Sequence, residues 1–163
     1  MEISCMLRVI IFYSVIFCSQ AFSSETRTLD NFAGTYSFGL DPKSENGKYG
    51  IIYIYPTTSN TIIFHLEVNR GSPSFNSGAL TSELSINNNQ ATYFTKQEVL
   101  SKNCEMDFTF LPNKIEIKTL NYNYSCGFGY NVKANGSYIK QSSTVPEYFK
   151  KRVGGEKVYF KDL

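Results

Sequence analysis

Apolar and polar positions alternate with a period of two in one segment after another of this chain. In TIIFHLEV, Ile62, Phe64, Leu66 and Val68 fall on one face, with Ile63, His65 and Glu67 on the other. GALTSELSI sets Leu80, Leu84 and Ile86 against Thr81, Glu83 and Ser85. CEMDFTF groups Cys104, Met106, Phe108 and Phe110, leaving Glu105, Asp107 and Thr109 opposite. KIEIKT alternates Ile115 and Ile117 with Lys114, Glu116 and Lys118. Such alternation is the mark of half-buried antiparallel strands. GTYSFG, GIIYIY, QATYFT and GSYIKQ bring the expectation to about eight strands at hairpin-like spacing. The punctuation agrees: LPNK at 111–114 is a tight turn, INNNQ at 86–90 offers asparagines that tolerate positive φ, and TTSN at 57–60 follows Pro56.

Short turns between consecutive strands favour an all-β, antiparallel up-and-down barrel, because closure removes exposed sheet edges. The end of the chain departs from the pattern. VPEYFKKRV (Val145 to Val153) is compatible with a short helix opening at Pro146. GGEKVYFKDL alternates Val158 and Phe160 with Lys157, Tyr159 and Lys161. A late strand, or a segment packed across the barrel's open end, is expected there.

The first residues carry a different signal. MEISCMLR ends in Arg8, the apolar run VIIFYSVIFC has the length of a signal-peptide core, and Ser19 and Ala21 are small residues at cleavage-site spacing. Residues 1–21 are therefore expected to be a secretory signal peptide, with Ser23 as an alternative cut, and residues 22–31 a linker. Residues 32–163 would be the barrel domain with its C-terminal extension. The expected location is secreted or periplasmic, with no integral membrane segment in the mature chain. Phe17 before Cys18 is too bulky for the small residue that precedes a lipidated cysteine, which argues against a lipid anchor.

Cleavage would remove Cys5 and Cys18 and leave Cys104 and Cys126 in an oxidising compartment. A hairpin between them brings its two ends together, so a structural disulfide is expected. Metal binding would need more ligands than the single histidine, His65, and a redox pair would sit in a shorter motif. CGFGYN then reads as a structural turn: Gly127 and Gly129 permit unusual backbone conformations, and Phe128 and Tyr130 are expected to share a face. A ligand contact there is the alternative.

Three features together carry a resemblance: the strand beginning at Cys104, CGFGYNVKANGSYIK at 126–140, and FAGTYSF at 32–38. They resemble a group of small exported bacterial β-domains, similar segments of which occur near domains linked to lysozyme inhibition. Gly34-Thr35-Tyr36 also resembles the glycine-x-aromatic opening of lipocalin-like barrels. The resemblance implies a calycin-like barrel and carries no catalytic residue across.

The chemistry on offer is sparse. His65 on a strand face reads as an exposed or hydrogen-bonded residue, and Glu105 and Asp107 read as partners of the Lys114, Glu116 and Lys118 row on the neighbouring strand. No nucleophile elbow, phosphate loop or zinc motif is present, so neither an enzyme nor a cofactor is expected. A formal net charge of +2 gives no reason to expect nucleic acid. Asn123 and Asn135 match glycosylation acceptors. The chain has no Trp but 12 Tyr and 13 Phe, so the core should be built on phenyl rings, with hydroxyls such as those of Tyr36, Tyr53, Tyr55 and Tyr138 available to a mouth or groove.

The one connection that looks purposeful is VNRGSPSFNSG (Val68 to Gly78). It offers Arg70, Ser72, Ser74, Phe75 and Asn76 on a frame stiffened by Gly and Pro, a composition suited to recognition, with a well-ordered long turn that binds nothing as the alternative. The expected function is thus a small exported binding protein, an inhibitor that inserts this loop into a hydrolase such as lysozyme. Two alternatives remain open: a carrier of a small apolar ligand inside the barrel, and a structural envelope module without a ligand.

Overall fold

The computed structural model describes residues 29–39, 47–97, 102–120 and 126–163. The expected signal peptide, most of the linker and the Asn123 acceptor lie outside them. All eight strands expected from the alternation are present: β1 (Gly34–Gly39), β2 (Tyr49–Pro56), β3 (Thr61–Asn69), β4 (Ser77–Ser85), β5 (Gln90–Gln97), β6 (Lys102–Leu111), β7 (Lys114–Thr119) and β8 (Gly136–Ser142). They form one antiparallel sheet in the order β4-β3-β2-β1-β8-β7-β6-β5. First and last strands are joined, Tyr36 opposite Lys140 and Ser37 opposite Ile139, so the meander curls into a nearly closed barrel. The ladder stays open between β4 and β5.

The turn joining those two strands is nevertheless pinned. Asn88 and Asn89 take positive φ (49° and 62°), as asparagine tolerates. The Ile86 N–H donates to Asn60 O and the Phe110 N–H to Asn89 O, each at 2.8 Å, which ties this turn to the turn and the strand beside it. Strand directions alternate, so this end also carries the Pro112-Asn113 turn and a 3-10 turn at Leu29–Phe32. The opposite end collects the β1–β2, β3–β4, β5–β6 and β7–β8 connections; it is called the loop end below.

Phenyl rings fill the interior, as the composition leads one to expect. Phe64 lies 5.1 Å from Phe108, Phe108 6.4 Å from Phe110, and Phe110 5.2 Å from Phe32 of the 3-10 turn. Tyr36 and Tyr138 are buried here rather than open to a groove. Their hydroxyls donate to Phe32 O and Ala134 O, both at 2.8 Å, which removes the cost of an unpaired buried hydroxyl. Burial pushes the Tyr36 phenol up to about 12 and that of Tyr138 higher still.

The C-terminal segment is a second small layer and not a helix. β9 (Tyr148–Lys150) and β10 (Lys157–Tyr159) form a hairpin followed by a 3-10 turn at Phe160–Asp162. It covers the outer wall of β2 and β3 rather than the open end. Phe149 and Phe160 pack with Ile63, Tyr53, Tyr55 and Val158 in a cluster separate from the barrel core. The reason is visible in β3: Ile63 and His65, and Tyr53 and Tyr55 on β2, make the outer wall apolar there, and burying that surface favours a cover.

Candidate loop-end surface

The loop foreseen at Val68 to Gly78 is tighter than its sequence suggests. β3 runs on through Asn69, and β4 starts at Ser77, so Arg70 to Asn76 make the whole connection. Asn69 organises it from below. Its Oδ1 accepts from the Gly71 N–H at 2.7 Å, and its Nδ2 donates to Phe75 O at 3.3 Å. Backbone bonds close the loop: the Arg70 N–H donates to Asn76 O at 2.8 Å and the Phe75 N–H to Gly71 O at 2.9 Å. Gly71 has φ 79°, and a side chain there would collide with the Gly47 carbonyl, so glycine is required on both counts.

Phe75 sits at φ 48°, a conformation that costs free energy for an aromatic residue. Its ring is 51% exposed although its backbone is held at both N–H and C=O. Arg70 is half-buried, with Nη1 3.5 Å from Ser74 Oγ. Ser72 is half-buried, Ser74 exposed and Asn76 half-buried.

The second cluster read from the sequence, Gly127 to Tyr130, docks onto this loop. Asn76 Nδ2 donates to Tyr130 O at 3.1 Å, and the Gly129 N–H donates to Ser77 O at 3.0 Å. The Cys104–Cys126 disulfide anchors its base, with Cα atoms 4.7 Å apart and a sequence separation of 22. Phe128 is buried against Gly78, where a Cβ would strike its ring. Tyr130 is 81% exposed. The expectation that Phe128 and Tyr130 share a face is therefore wrong: same-face spacing at two residues holds for a strand, whereas Gly129 and the adjoining turn, closed by the Val132 N–H to Gly129 O bond at 3.1 Å, reverse the side chain's direction. The outcome is a rigid crest from two connections bearing Phe75, Tyr130 and Arg70. The sequence read Tyr130 as part of a structural turn, with a ligand contact as the alternative, and its prominence depends on a long-range contact that no local pattern signals.

Other candidates lie elsewhere. His65 points away from Phe64 and Leu66 as its register requires, yet it is 4% exposed because Phe149 stacks on it with ring centroids 3.6 Å apart. Its nitrogens meet Thr81 Oγ1 at 2.6 Å and Glu67 Oε1 at 3.0 Å. Of the two readings of His65, exposed or hydrogen-bonded, the second holds: it is buried and forms the floor of the C-terminal hairpin. On the β6–β7 wall, Asp107 accepts from Thr92 Oγ1 at 2.8 Å and faces Lys118 in register, while Lys114 pairs with Glu116 along its own strand at 2.6 Å. Asp107, Thr109, Glu116, Lys118 and Ser137 line an open depression of about 390 Å³ on this wall.

Among the described residues no group of three or more His, Cys, Asp or Glu side chains could hold a metal ion, and no helix is long and apolar enough to cross a membrane. Comparison with protein-family models, curated proteins and solved structures returns no match for the chain.

Proposed function

We propose that this chain is an exported, non-enzymatic β-barrel binding protein that grips a protein partner with its loop end. The observation that carries this reading is the pair of exposed rings, Phe75 and Tyr130, on loops locked together by Asn76 and Gly129. Aromatic side chains on a pre-organised frame bind with little entropy loss, and they and arginine are the usual anchors of protein interfaces. Phe75 is held in an unfavourable backbone conformation while its ring stays in solvent, which has no use in packing the barrel. The disulfide suits an oxidising compartment, in keeping with export to the periplasm or the medium.

The partner class that fits best is a hydrolase, such as lysozyme, with carboxylates in a cleft. Arg70 would pair with a carboxylate while Phe75 and Tyr130 cover the cleft's rim, so inhibition would be by occlusion. The carrier reading has less support, because the inward positions Phe64, Phe108 and Phe110 are rings in mutual contact. Arg70→Ala, Phe75→Ala and Tyr130→Ala should each weaken partner binding, by about 1–3 kcal/mol for a true anchor, measured by calorimetry. Unchanged affinity in all three would remove the proposal.

A further inference from the structure

Positive charge is concentrated on the C-terminal hairpin, far from the loop-end crest in sequence and on a different wall. From residue 148 to 163 there are five cations, Lys150, Lys151, Arg152, Lys157 and Lys161, against two carboxylates, Glu156 and Asp162. That excess of three is larger than the formal net charge of the whole chain, +2, so the remainder carries no net positive charge.

The register sharpens the point. Lys157 lies directly opposite Lys150, and Tyr159 directly opposite Tyr148. Phe149 and Val158 take the inner face, so the outer face presents two lysines side by side and two tyrosines side by side. Like charges directly opposite one another destabilise a strand pair. Lys157 Nζ is eased by the Tyr148 ring, 3.9 Å below it, and Lys161 lies 5.9 Å from the Tyr159 ring centroid. The hairpin's ion pair is Lys151 with Glu156 at 2.7 Å. Among the described residues no carboxylate comes within ion-pair distance of Lys150, Arg152, Lys157 or Lys161. At the tip, Gly154 and Gly155 at positive φ turn the chain and leave Val153 88% exposed beside Arg152.

We propose that this outer face is a docking surface for an anionic lipid bilayer. A two-stranded ribbon of unpaired cations reads charge density, which is what an anionic headgroup layer offers. Tyr148 and Tyr159 have the amphipathic character favoured at headgroup depth, and Val153 supplies an apolar tip next to the cations. The ribbon is a firm support, since Phe149 and Phe160 are buried against the barrel wall and Phe149 stacks on His65. The loop-end crest would remain free for its partner, so the two surfaces stand or fall separately.

The test is partitioning of the full-length chain onto phosphatidylcholine vesicles with and without phosphatidylserine. The apolar run near the N-terminus would act on both alike, so the reading is the ratio of anionic to neutral partitioning. At low salt the ratio should be about tenfold or more, and it should fall toward one at high salt. Lys150→Glu/Lys157→Glu should abolish most of it. Lys96→Glu/Lys118→Glu, an equal change of charge on β5 and β7, should leave it intact. Val153→Asp, at a position open to solvent and safe for folding, should lower it. A ratio near one, or equal loss from both double variants, would overturn the proposal. So would capture of a soluble polyanion such as dextran sulfate without vesicle binding, which would assign the face to an anionic polymer.

Discussion

Phe149→Ala removes one of the two buried rings that join the C-terminal segment to the barrel wall. In the wild type its ring stacks on His65 at 3.6 Å and meets Phe160 at 5.4 Å, within a cluster whose buried members are Ile63, Phe149 and Phe160. Truncating a buried Phe costs about 3–5 kcal/mol in a core, and the lower end applies in so small a cluster. Opposing the docking is the order imposed on the hairpin, about 1–2 kcal/mol of backbone entropy for each residue fixed. Because net docking is a small difference between such large opposing terms, a loss of about 3 kcal/mol is enough to release the hairpin while the barrel stays folded. Hydrogen exchange resolved by peptide is the assay. Amides such as Lys151 and Phe160, which donate to Glu156 O and Glu147 O, should lose protection, whereas β6, β7 and β8 should keep theirs. If the hairpin stays protected, or the barrel strands lose protection in step with it, the two-layer account is wrong.

Two further outcomes follow from the core. Replacing Cys104 and Cys126 together by Ala should lower stability by about 3 kcal/mol in the chain-entropy model, read by denaturant unfolding, and should free the 126–135 segment before the barrel. At high pH, Tyr36 is held neutral with its pKa raised to about 12 from 10, so its contribution to stability is complete below pH 10 and is lost as the pH climbs through about 12. Tyr138 shifts in the same direction. Absorbance titration of the phenolates should therefore leave two tyrosines silent until alkaline unfolding; smooth titration of all tyrosines near pH 10 in folded protein would contradict their burial.

The eight strands, their turns and the disulfide were readable because each rests on a local rule: alternation by two, Asn or Pro-Asn at the reversals, and a hairpin between the cysteines. What was not readable depends on contacts distant in sequence. Ile63 and His65 on the outward face of β3 were a cue that something covers that wall, but the covering segment lies more than eighty residues on, and its first strand, β9, lies in a stretch compatible with a helix. Tyr130 could not be placed from Cys-Gly-Phe-Gly-Tyr alone, since its exposure follows from Gly129 docking on Ser77. The open ladder between β4 and β5 has no local signature, because their turn is as tight as the others and is held by neighbouring backbone groups.

The most direct test of the loop-end account is quantitative capture of a protein partner by three forms of the chain. These are the wild type, a Phe75→Ala/Tyr130→Ala variant, and a Pro112→Ala/Asn113→Ala variant altered at the far end of the barrel. All four side chains are exposed, so none fills the core, and the three forms are compared at a temperature where circular dichroism shows each of them folded. The account predicts a partner that binds the wild type and the far-end variant equally and is lost from the Phe75/Tyr130 variant. A partner held equally by all three, or lost when Pro112 and Asn113 are changed, would contradict it.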